Sequence, residues 1–160
     1  MKIDIVLRDL HKNENALMLE LLRLSERYKS VHEVYHIARD VAGWSRTHVH
    51  KLAEIGPDYG VELDPEPKNE HALGKAVREK ISDVEAGRGL SMDLLADLRT
   101  VYLRAAELSV DWEMLAQAAQ AARDEKLLGI ASECHPSTLR QMRWANSTIK
   151  SESPQIILSA

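Results

Sequence analysis

Two ionisable residues stand where a chain of this kind normally keeps only hydrocarbon. Residues Leu10, Glu14, Leu17, Leu21, Leu24 and Tyr28 repeat with 4-3 spacing, the seam of a packed helix, and Val34, Ala38, Val41, Ser45, His48, Leu52 and Ile55 repeat the pattern after a break at Lys29 and Ser30. Both seams are apolar except at Glu14, Ser45 and His48. A hairpin that returns the second helix along the first sets Tyr28 beside Val34, Leu24 beside Ala38, Leu21 beside Val41, Leu17 beside Ser45 and Glu14 beside His48. A lone carboxylate in such a seam is costly, whereas helices packed about 8–10 Å apart let a Glu and a His meet. Such a pair has two chemical uses. It is a buried hydrogen-bonded tie that fixes register, or half of a metal site completed by a carboxylate from a later helix, with Asp97, Asp124 and Glu125 as the candidates.

Two other strings carry metal-binding residue types. His32-Glu-Val-Tyr-His36 reads HExxH, which on a helix places two imidazoles on one face with a glutamate as general base. Here Glu33 has a place in a helix cap, both histidines fall in the first turns facing away from the seam, and no third ligand is identifiable. In a chain with seven histidines the expectation is a chance match and not a zinc site. Cys134-His135 offers a soft and a borderline ligand, but without further soft ligands it stays an isolated pair.

The elements that position these residues follow from periodicity and punctuation. The first helix starts near Asp4, and Ser30-Val-His-Glu33 has the form of a capping box opening the second, which should stop at Gly56-Pro57. Residues 56–68 read as a loop. Leu73, Ala76, Val77, Ile81 and Val84 predict a helix at 70–86, ended by Gly87-Arg-Gly89. Ser91 and Asp93 cap the next helix, with Leu98 and Ala105 on its stripe and a break at Ser109. Asp111 and Glu113 then open an Ala-rich helix towards Cys134 that is apolar nearly all round. Pro136 suits the first turn of a last helix over 136–150, through Leu139, Met142, Trp144 and Ile149. One domain over 1–150 and a tail over 151–160 result. Tyr28, Tyr102, Trp44 and Trp112 read as core aromatics, and Arg140, Arg143 and Lys150 as a solvated face.

Composition agrees with an all-α fold. The chain has 160 residues, 44% hydrophobic, rich in Ala and Leu and without Phe. A net charge of −4 gives no overall attraction to nucleic acid or an anionic membrane, so neither is an expected partner. The one cysteine forms no internal disulfide, and no run approaches the ~18 apolar residues of a membrane span. Acids in MKIDIVLRDLHKNE interrupt the apolar core a signal peptide needs, so the expected compartment is the cytoplasm.

Four main helices, two tight hairpins and a long connection between the second and third together resemble the ferritin-like superfamily. Its di-iron members take a Glu from each of two helices and a Glu-x-x-His from each of the other two. Glu14 matches the first-helix Glu and His48 the His of the second-helix motif. The position three before His48 is Ser45, and Asp124 and Glu125 are followed at that spacing by Leu127 and Leu128. The chain also resembles a group of uncharacterised bacterial ferritin-like proteins, through Ala42-Gly-Trp44-Ser45-Arg-Thr-His48 and Arg140-Gln-Met-Arg-Trp144 with Ser153-Pro-Gln155. The resemblance implies a ferritin-like up-down four-helix bundle with an extra helix in the crossover and a C-terminal helix.

The function expected is a scaffold or binding module of this type without a complete di-iron site, non-enzymatic and without a cofactor. The alternative is a redox or storage protein holding iron, manganese or zinc through Glu14 and His48. Which small-molecule ligand such a module would take is left open by the sequence. A homodimer is expected, because the apolar tail and the Ala-rich helix call for more cover than one chain supplies.

Overall fold

The structure is a computed structural model, which describes residues 1–66 and 90–159, with side chains at 90 and 91 excepted. Four long helices account for most of them: α1 (Ile3–Arg27), α2 (His32–Ile55), α3 (Leu90–Ala122) and α4 (Glu125–Leu158), with one 3-10 turn at Gly56–Tyr59. No strand occurs among the described residues. None of these helices is long and apolar enough to cross a membrane.

Every residue of the two 4-3 seams read from α1 and α2 is buried. Two further seams complete the interior. Along α3, Leu98, Val101, Ala105, Leu108, Trp112, Leu115 and Ala119 are buried, and along α4, Leu127, Ala131, Cys134, Thr138, Gln141 and Ala145. Side-chain bonds fix the directions. Glu14 meets His48 and Ser25 meets the Tyr35 carbonyl, so α2 descends as α1 rises. Asn13 meets Asp111 and Arg27 meets Asp97, which sets α3 antiparallel to α1. Lys51 meets Glu133 and Gln141 reaches Val41, which sets α4 antiparallel to α2. The helices therefore run up, down, down, up.

The helix boundaries differ from the sequence expectation in four places. Val31, not Ser30, is the N-cap of α2, and no side chain caps it, so the Ser30–Glu33 box does not form. The α3 helix does not break at Ser109, because the seam keeps its period through that residue. The α3–α4 turn lies instead at Arg123 and Asp124. There the amide of Asp124 donates to Ala119 O (2.9 Å) and that of Arg123 to Gln120 O (3.1 Å), a Schellman closure with Arg123 at φ 56° in the left-handed position usually given to glycine. Asp124 then caps α4, its Oδ1 accepting from the Leu127 amide at 3.0 Å. Pro136 lies inside α4 rather than at a helix start, and the tail over 151–158 is α4's last turns, with Pro154 also inside. The helix expected at 70–86 lies outside the described residues.

Gly56 has a steric reason for its identity: a Cβ there would stand 2.5 Å from the Val61 carbonyl oxygen, where the chain folds back after α2. The Tyr59 hydroxyl donates to Asp124, and Lys126 bonds Asp58 at 2.6 Å, which joins this turn to the α3–α4 turn. At the bundle's other end, Arg27 and the Tyr28 hydroxyl both bond Asp97 Oδ2, at 2.9 and 3.0 Å.

Candidate functional site

Glu14, on the inner seam of α1, is fully buried and its Oε1 receives two donors. His48 Nδ1–H from α2 donates over 2.8 Å, and Trp112 Nε1–H from α3 over 3.0 Å. The imidazole and indole meet edge to face, 5.8 Å between centroids with an 80° interplanar angle. One carboxylate oxygen thus ties three helices together. Its other oxygen, Oε2, is buried with no hydrogen-bond partner among the described residues. The fourth helix brings Cys134 to the same neighbourhood. Burial first, and the Glu14 charge second, push its thiol up to about 12, so it stays protonated at neutral pH.

A second polar contact crosses the interior beside the first. Gln141 Nε2 on α4 donates to the Val41 carbonyl and to Ser45 Oγ, each at 2.9 Å, while Gln141 Oε1 is buried without a partner among the described residues. Ser45 and Gln141 lie 96 residues apart in sequence, and the fold bonds one to the other. Ser45 stood out in the sequence as a polar seam residue. Gln141 and the indole N–H of Trp112 did not, although both lie on unbroken 4-3 seams where a polar group needs a partner.

The acids named as completing ligands lie elsewhere. Asp97 is held by Arg27 and Tyr28 at one end of the bundle. Asp124 caps α4 at the other end, where the Tyr59 hydroxyl first and the Leu127 amide second lower its carboxyl below the ordinary value. Glu125 is exposed in the first turn of α4. His32, Glu33 and His36 are exposed, the two imidazoles stacked edge to face at 4.3 Å, so the HExxH string lies on the surface. His11, buried one turn before Glu14, bonds the Asp64 carbonyl through Nε2 at 2.7 Å and fastens the chain after α2 to α1.

No three His, Cys, Asp or Glu side chains form a metal-holding group among the described residues. A ferritin-like di-metal centre takes carboxylates from all four helices. At the level of Glu14 and His48 the third and fourth helices supply an indole donor and a thiol in place of carboxylates. This donor set does not fit such a centre.

Compared with protein-family models, with curated proteins and with solved structures, the chain has no match.

Proposed function

We propose that this protein is a ferritin-like four-helix bundle in which a hydrogen-bonded core has replaced the metal centre, and that it serves as a scaffold or binding module without catalysis. The ferritin-like reading draws on the up, down, down, up order with a long connection between α2 and α3. The observation that carries the functional reading is the bond from Trp112 Nε1–H to Glu14 Oε1. An indole N–H is a donor only, so it cannot ligate a metal, and it occupies the carboxylate from the α3 side. With His48 on the same oxygen, Glu14 fixes the register of three helices, a use of buried polar groups known from helical assemblies.

A second reading keeps a single metal ion at Glu14 and His48, and Glu14 Oε2 favours it as a buried acceptor with no donor among the described residues. Elemental analysis decides between them. Protein purified without chelator is expected to hold no stoichiometric iron, manganese or zinc. Metal near one equivalent per chain, lost in His48→Ala, would establish the second reading instead.

A further inference from the structure

The core side of α3 accounts for one of its two apolar faces. Diametrically opposite lies a stripe of Met92, Ala96, Leu103, Val110, Met114, Ala118 and Ala121, all exposed. Its four large members are between 51% and 60% exposed, whereas α1 exposes Ile5 alone and α4 exposes Leu139 and its last residues. A helix apolar on both sides is the pattern of one enclosed by neighbours.

We propose that this outer face of α3 is a two-fold interface on which a second copy of the chain packs antiparallel, with the axis passing at Leu103. The stripe's charges identify the occupant. It contains one cation and one anion, Arg99 four residues before Leu103 and Glu107 four residues after it, both exposed and neither in a side-chain hydrogen bond or ion pair among the described residues. An antiparallel copy centred on Leu103 places each Arg99 against the partner's Glu107, so both charges are paired twice by one symmetry operation. The same operation sets Ala96 against the partner's Val110, small against large, and Met92 against the partner's Met114. Leu103 meets its own copy. These offsets of four, seven and eleven residues all fall on one side of a helix, so the matched pairs form a continuous seam about 33 Å long at 1.5 Å rise per residue. A parallel copy would set Arg99 on Arg99 and Glu107 on Glu107, which charge repulsion disfavours.

The interface is independent of the reading of the Glu14 core, since no residue is shared. Sedimentation of the full chain tests it, with circular dichroism confirming that each variant stays helical. The wild type is expected to reach twice the chain mass at micromolar concentration. Leu103→Glu, which brings two carboxylates together on the axis, is expected to leave a monomer of unchanged helicity. Arg99→Glu is expected to weaken the dimer about tenfold by turning two attractive pairs into repulsive ones, and adding Glu107→Arg to it to restore wild-type association. A wild type that stays monomeric overturns the proposal. So does a dimer indifferent to Leu103→Glu, or one that the double charge reversal fails to rescue.

Discussion

The indole Nε1 of Trp112 lies 3.0 Å from Glu14 Oε1, across 98 residues of sequence, with both side chains withdrawn from solvent. A carboxylate in a helical interior needs donors, and here they arrive from two different helices on one oxygen. That arrangement ties α1, α2 and α3 together at one level of the bundle.

Trp112→Phe keeps an aromatic ring in the seam but removes the donor. The expected outcome is a loss of about 1–3 kcal/mol in urea unfolding followed by circular dichroism, with helicity retained. A change within about 0.5 kcal/mol, the usual range for exposed substitutions, would mean that the bond does not hold the core.

His48→Ala should be more damaging, about 3–5 kcal/mol, because it strips a partner from a buried charge-bearing group. Replacing Glu14 by Leu in the same chain should recover part of that loss, since the carboxylate left without its imidazole is then gone. Additive losses in this double-mutant cycle would contradict direct coupling between the two residues.

Alkaline pH should destabilise the fold. Burial, reinforced by the Asp97 carboxylate, raises Tyr28 above its ordinary 10.0, and burial raises Cys134 from 9.0 to about 12. The unfolded chain gives up these protons near the ordinary values while the folded chain keeps them. Their contribution is therefore whole below the ordinary values and declines as pH rises from 9.0 towards 12. The unfolding midpoint is expected to drop across that window, and a thiol reagent should modify Cys134 only as fast as the protein opens. Rapid modification of the native protein at about pH 8, just below the free-thiol pKa, would show the thiol to be accessible.

Arg123→Gly should stabilise the protein. Arg123 holds a left-handed backbone at φ 56°, which costs a residue with a Cβ roughly 1–2 kcal/mol. A gain of up to about 1 kcal/mol is expected, less than the full strain because glycine also loosens the unfolded chain. Thermal unfolding reads it directly, and a fall in melting temperature would show that the arginine side chain contributes more than its backbone costs.

The same turn explains where sequence reasoning stopped. The α1–α2 hairpin could be read down to the Glu14–His48 contact because its two seams keep strict 4-3 spacing and their polar exceptions fall in register. The second hairpin could not, because the residue types that usually mark helix ends misplace it. Arg123 occupies a position where glycine is the common signal, while Ser109 and Pro136, common helix breakers, lie within helices whose buried seams run through them. Carrying the 4-3 period through Pro136 would have put Gln141 on the inner face of α4, opposite Ser45. Trp112 read as a core aromatic, which it is, but its N–H had no partner until α3 was placed against α1.

Stability in the presence of metal tests the central claim most directly. Urea unfolding of the wild type, with chelator and then with iron, manganese or zinc, should give coincident curves. A native site with a dissociation constant of about 1 μM would instead add about 4 kcal/mol at about 1 mM metal. A shift of that kind, abolished by Glu14→Gln, would contradict the account and make Glu14 and His48 metal ligands.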